Sequence, residues 1–332
     1  MPREAARHAL LSLPEGHGLS SDFGSRLPLS RAELDRDHLS RVAGIDALLA
    51  DPAARAIVLH GGKALMVGDA ALALLSPTSV DHELALYLGR ATVDAPDLAA
   101  GAPVLALVIG DAAAAALPGD PAPTWGDLRR LGAELSTRDA GLFTEALGLA
   151  NWHAAYGFSP VTGRATEVAA SGWTRVDTET GRESFPRTDA AIIVGITDAD
   201  DRLLLGSNAM WESNRFSLLA GFVEPGESLE QAVVREVFEE SGLHVVDPIY
   251  LGSQPWPFPA SLMLGFRAHV PAEHPTAGTP DGEEILEVRW FSREELAALA
   301  ADGSIILPGP TSIARQIIDD WFGGEIIDGG RW

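Results

Sequence analysis

The stretch that most restricts this chain is GFVEPGESLEQAVVREVFEESGL, residues 221 to 243. EPGE is a turn, and Ser228 with Gln231 three residues on has the form of a capping box. Leu229, Ala232, Val233 and Val237 recur at helical spacing and supply one apolar face, while Gly242 suits the left-handed residue that stops a helix. Both ends of a helix are therefore written locally. Its other edge is costly, because Glu236 lies three and four residues from Glu239 and Glu240, and like charges at that spacing destabilise a helix by roughly a few tenths of a kcal/mol per pair. Either this face is simply a solvated acidic surface, as charge runs usually are, or something offsets the repulsion. With Glu227 in the loop leading in, the four carboxylates form an oxygen-rich set of the kind that holds Mg²⁺ or Mn²⁺ together with substrate phosphates. The spacing kept over the whole stretch favours that second reading.

A length of 332 residues fits two domains at roughly 100–200 residues each. The chain has no cysteine, which removes disulfides, thiolate zinc sites and cysteine catalysis together. A net charge of −23 opposes tight nonspecific binding to a nucleic-acid backbone, since that affinity comes from phosphate neutralisation. A small anionic substrate would need a cation in between. No apolar run approaches the ~18 residues of a membrane span, and the apolar part of the N-terminal segment is short and broken by Pro14, unlike a secretory signal. The expectation is a cytoplasmic protein without a membrane partner.

Periodicity divides the chain. Residues 1–25 show none and are expected to be loosely ordered. Within 26–120, LSRVAGIDALLAD (39–51) reads as a helix, and AIVLH and ALMVG as strands around the turn His60-Gly61-Gly62-Lys63, with further strands at 83–89 and 103–110. Residues 121–157 read as a helical connector, WGDLRRLGAEL followed by a longer helix capped by Ser136 or Thr137. Residues 158–187 are short and turn-rich. Strands and helices resume over 188–325, and 326–332 form a flexible or packing tail.

Ten residues beyond the end of this acidic stretch lies SQPWPFPAS, residues 253–261. Pro255, Pro257 and Pro259 forbid helix and central strand, so the segment reads as a stiff extended loop that presents Trp256 and Phe258 to a planar ring, with Gln254, Ser253 and Ser261 as hydrogen-bonding groups. The competing reading of these residues is a proline-kinked edge strand with buried aromatics.

The acidic stretch resembles the Nudix hydrolase signature at every defined position, and SQPWPFPAS resembles the marker of that family's NADH pyrophosphatase branch. The resemblance extends over about 125–318, with the first domain similar only in outline. It implies an α+β protein: a Nudix αβα sandwich over 188–325, a zinc-ribbon-like connector over 158–187, and a degenerate Nudix-like domain over 26–120. It implies metal-dependent hydrolysis of the pyrophosphate bond of NADH or NAD⁺ to a nicotinamide mononucleotide and AMP, with NAD-capped RNA as a secondary substrate, and a homodimer. By position, Glu236 and Glu240 become metal ligands, Glu239 a further ligand or base, Glu227 a supporting carboxylate, and Arg235 the group that orients them. Glu284 becomes a third metal carboxylate and Ala220 a main-chain contact at the metal and substrate. Phe222 and Ala314 become substrate contacts and Phe185 an aromatic cover.

The chain departs from the branch in its connector. FSPVTGR and VDTETGR keep two knuckle outlines, but Ser159, Thr162, Asp177 and Thr180 stand at the ligand positions, and three hydroxyls with one carboxylate are poor zinc ligands. No structural zinc is expected, and packing of Phe158, Trp173 and Phe185 is expected to hold the hairpins. Two other functions stay open at this point: a Nudix hydrolase of ADP-ribose or another nucleoside diphosphate derivative, and a dinucleotide-binding sensor without catalysis.

Overall fold

The computed structural model describes residues 23–118, 123–212 and 214–329. The expected loose segment 1–25 lies mostly outside these residues; of its last three, Phe23 begins a helical turn (Phe23–Arg26) and is 1% exposed.

Alternating burial builds the first half. In the strand Arg55–His60, Ala56 and Val58 point to one apolar cluster while Ile57 and Leu59 point to another, as a strand buried on both faces requires. This strand turns at Gly61 and Gly62, both with positive φ, into Lys63–Val67, and runs parallel to Pro103–Val108 in an eight-stranded sheet. The helix Thr137–Ala155, capped by the Ser136 hydroxyl, lays Leu142, Phe143, Ala146 and Leu147 on one of the two clusters. Two expected helices are altered. LSRVAGIDALLAD breaks at Gly44, whose φ of 91° no helix contains, into a 3-10 turn His38–Ala43 and a short helix Ile45–Leu49. WGDLRRLGAEL opens as the strand Thr124–Gly126, and only Leu128–Leu131 is α-helical.

The second half is a six-stranded sheet between helical layers. Its central strand, Asp189–Thr197, sends Ile192, Val194 and Ile196 towards the helix Leu229–Ser241 and Ile193 towards the helices Arg293–Ala301 and Ile313–Phe322. It pairs in parallel with Ser261–His269 and antiparallel with Leu219–Phe222. Val246–Trp256 forms the edge beyond Ser261–His269. The described part of the expected tail packs: Ile326 is 2% exposed, and Arg315 Nη1 meets Asp328 at 2.7 Å.

Between the halves, a small sheet of Thr166–Ala169, Thr174–Asp177 and Glu183–Ser184 carries the two knuckles. The expected packing does not hold them, since Phe158 and Phe185 are 68% and 63% exposed. Trp173 is used elsewhere, donating from its indole to the Tyr87 carbonyl at 2.7 Å. Hydrogen bonds close the knuckles instead. Asp177 Oδ1 accepts from the Glu179 and Thr180 amides at 3.1 and 3.2 Å, and Oδ2 accepts from the Thr162 hydroxyl at 2.5 Å. In the first knuckle, Ser159 Oγ accepts from the Thr162 amide at 3.3 Å. Asp177 and Ser159 are buried, and this network pulls the Asp177 carboxyl down to about 2, the Thr162 bond first among its causes.

Candidate active site

The acidic helix spans Leu229–Ser241, opened by the Ser228–Gln231 capping box and stopped at Gly242 with φ 67°. Ala232, Val233 and Val237 are fully buried, which turns the glutamates towards the loop before the helix. Arg235 answers the repulsion among them. Its Nε and Nη2 grip Glu227 at 2.7 and 2.9 Å, and its Nη1 lies 2.9 Å from Glu236 and 2.8 Å from Glu239. Nη2 also donates to the Phe222 carbonyl at 2.9 Å. A planar guanidinium with five donors can serve three carboxylates in this way, and a lysine cannot. The Arg235 pair is the main reason the Glu227 carboxyl sits down at about 2; Glu227 also accepts from the Glu224 amide at 3.1 Å.

Glu240 is served differently. It is 5% exposed, its Oε2 has no hydrogen-bond partner among the described residues, and the Ala220 backbone favours its ionised form. Burial, then the neighbouring charges of Glu236, Glu284 and Asp281, push its carboxyl up to about 8. Glu236 is also raised, by burial first and then by Glu239 and Glu284, against the pull of Arg235. Its carboxylate covers Gly221, where a Cβ would stand 2.0 Å from its carboxyl carbon. Among the described residues no three His, Asp or Glu side chains are gathered into a metal cage. The donor set nonetheless fits a hard divalent cation: the charges of Glu236 and Glu284 act on Glu240, and the buried Oε2 of Glu240 has no hydrogen-bond partner among the described residues.

Two groups here were not singled out in the sequence. Asp281 Oδ1 accepts from the amides of Glu283, Glu284 and Ile285 at 2.9–3.0 Å and so shapes the loop that carries Glu284. Asn208 Nδ2 approaches Glu284 at 3.4 Å. The Asp281-Gly282 pair is a turn signal that sequence could have offered; nothing local pointed to Asn208.

The proline-rich segment corrects the loop reading. Ser253–Trp256 continue the edge strand, with Pro255 opposite Leu262 and Trp256 opposite Ser261, because an edge strand tolerates a residue without an N–H. Pro257 is buried and Pro259 exposed in the turn that follows. Trp256 and Phe258 are not free stacking faces. They meet edge to face at 4.9 Å, pack against the first half's core, and have the Arg129 guanidinium 5.4 and 4.5 Å from their ring centres. Gln254 is fully buried, with its Oε1 accepting from the Leu29 amide at 3.2 Å and its Nε2 donating to the Thr311 carbonyl at 3.0 Å, so it joins segments instead of facing a ligand. Ala314 is core, at 2% exposure. Phe222 is 59% exposed beside the acidic site, and Phe185 stands exposed on the connector. Ser261 is half-buried at the start of its strand.

A family model of the NUDIX domain matches residues 186–308, and one of the NADH pyrophosphatase-like rudimentary NUDIX domain matches residues 53–152. The chain carries a Nudix domain. The fold is accordingly a mixed helix and sheet protein with a Nudix-like N-terminal domain and a C-terminal Nudix domain. The NAD-capped RNA hydrolase NudC of Mycobacterium bovis (strain BCG / Pasteur 1173P2) is 47% identical over 209 residues, 59% of this chain and 64% of that protein. The NAD-capped RNA hydrolase NUDT12 of Homo sapiens is 35% identical over 200 residues, 57% of this chain and 43% of that protein. The matches thus span less than two thirds of either relative. No helix among the described residues is long and apolar enough to cross a membrane.

Proposed function

We propose that this Nudix protein hydrolyses the diphosphate bridge of NADH or NAD⁺, and of the NAD cap on RNA, in a divalent-metal-dependent reaction. The observation that carries the reading is Glu240: a buried carboxylate with an unpartnered oxygen, beside Glu236 and Glu284, in a chain that also holds the proline-rich hairpin. Its relatives' names, which describe hydrolases of NAD-capped RNA, support the same substrate class.

In this reading Glu236, Glu240 and Glu284 hold the cation, with the Ala220 main chain beside them. A bound Mg²⁺ or Mn²⁺ supplies polarisation of the phosphoryl oxygens and a lowered pKa for water. Arg235 keeps Glu227, Glu236 and Glu239 in register, and Phe222 borders the substrate. Glu239, 56% exposed where Glu236 is 13%, takes the proton of the attacking water. Water adds to one phosphorus, the bridging P–O bond breaks, and nicotinamide mononucleotide and AMP leave. A homodimer in the cytoplasm completes the proposal.

The test is the appearance of both mononucleotides from NADH, NAD⁺ and ADP-ribose with Mg²⁺ or Mn²⁺, for wild type and Glu240→Gln. Turnover of NADH lost in Glu240→Gln is the expected result. Equal turnover by that variant removes Glu240 from the site, and a preference for ADP-ribose over both dinucleotides replaces the substrate.

A further inference from the structure

The segment 255–259 is short of hydrogen-bond donors. Pro255, Pro257 and Pro259 have no N–H, and the Phe258 amide is already given to the Trp256 carbonyl at 2.7 Å. The carbonyls of Pro257 and Pro259 are met from the other half of the molecule. Asn151 Nδ2 donates to the first at 2.9 Å and to the second at 3.3 Å, so the two hydrogens of one side-chain amide hold both. Asn151 stands on the helix Thr137–Ala155, inside the rudimentary NUDIX domain that ends at residue 152. One helical turn earlier, Gly148 faces the same turn, and a Cβ there would lie 3.8 Å from Pro257 Cβ, an ordinary contact distance.

A cleft of about 380 Å³ lies at this junction, lined by Glu145 and Gly148 of the helix, Trp173 of the connector, and Trp256, Pro257 and Leu262 of the hairpin. Its volume falls within the usual range of small-molecule sites, and domain junctions are a common place for them. The hairpin is also tied to the acidic site. Met263, two residues into the strand after the turn, sits opposite Ala191, which sits opposite Phe222; Leu264 reaches Gly221 in the same way through Ile192. A shift of the turn therefore passes across two strand pairings to the residues bordering Glu236.

We infer that Asn151 is a positioning residue: the rudimentary domain uses it to fix the 257–260 turn and so sets the width of a cleft that seats one half of the dinucleotide. The kinetic part of this inference rests on the diphosphatase reading above; the structural part does not. Full-length Asn151→Leu and Asn151→Ala are compared with wild type in two measurements. Hydrogen exchange followed by mass spectrometry reads the amides of 255–262, and steady-state kinetics read NADH hydrolysis with Mn²⁺. In both variants exchange in 255–262 is expected to quicken, with KM raised about five- to tenfold, the scale of one ordinary hydrogen bond, and kcat within about twofold. Unchanged exchange overturns the brace, and a fall in kcat at constant KM overturns its role in seating substrate. A wild type inert towards NADH sinks the diphosphatase reading while the exchange result still decides on Asn151. If the leucine variant fails to fold, the alanine variant decides both.

Discussion

The carboxylate of Glu236 lies directly over Gly221, so close that a methyl group on that glycine would stand 2.0 Å from the carboxyl carbon and 2.1 Å from its Oε1. Gly221 lies in the strand Leu219–Phe222, whose pairing with Asp189–Thr197 opposes retreat of the main chain, and Glu236 is anchored on a helix with a buried face. The side chain is what must move. Gly221→Ala is expected to leave the circular dichroism spectrum unchanged and to lower kcat for NADH by about a hundredfold, the cost of misplacing a reacting group by roughly 1 Å. Wild-type kcat in a folded Gly221→Ala protein contradicts the assignment of Glu236.

Arg235 gives a test in which charge is kept and geometry lost. Arg235→Lys retains one cation but cannot grip Glu227 twice while reaching Glu239 and the Phe222 carbonyl. Its kcat/KM is expected to fall by roughly tenfold to a hundredfold, most of it in kcat, because the lost contacts place carboxylates and do not bind substrate. A change confined to KM would assign Arg235 to substrate instead.

The capping box bears on stability. Ser228→Ala removes the side-chain acceptor for the Gln231 amide and should destabilise the protein by about 1 kcal/mol in a denaturant titration. Restoring the acceptor with Ser228→Asp should recover most of that loss.

Asp177 supplies the pH dependence. Its folded carboxyl is held at about 2 against an ordinary value of 3.8, so its contribution is present above pH ~4 and is lost as pH falls towards 2. Asp177→Asn is therefore expected to melt below wild type at pH 7, with the gap closing as the pH is lowered through that window. A gap that persists at pH 2 would mean that the charge is not what closes the knuckles. The wild-type melting temperature should also be indifferent to a zinc chelator.

How much of this was legible depended on distance along the chain. The acidic helix was, because its caps, its apolar period and its stop all lie within 221–243. The orienting role of Arg235 is what the family resemblance implies, and two of its partners, Glu236 and Glu239, are one and four residues away. For the proline-rich segment the competing edge-strand reading holds; local rules exclude proline from the middle of a sheet, whereas which strand forms the edge is decided by pairing with Ser261–His269. The joints were out of reach: Gln254 meets Leu29 and Thr311, and Asn151 meets Pro257, across separations that no periodicity records. In the connector, the absence of cysteine suggested packing as the substitute, and Phe158 and Phe185 lie open while a carboxylate bridges the two turns.

That carboxylate bridge alters what the protein needs from its surroundings. A hairpin pair closed by a thiolate-bound ion matures only when the ion is at hand, and peroxide can open it by consuming the sulfur. Here Asp177 arrives with the polypeptide itself, and a chain with no cysteine offers oxidants no sulfur to attack in that connector. Metal starvation and oxidative stress should both leave this connector intact.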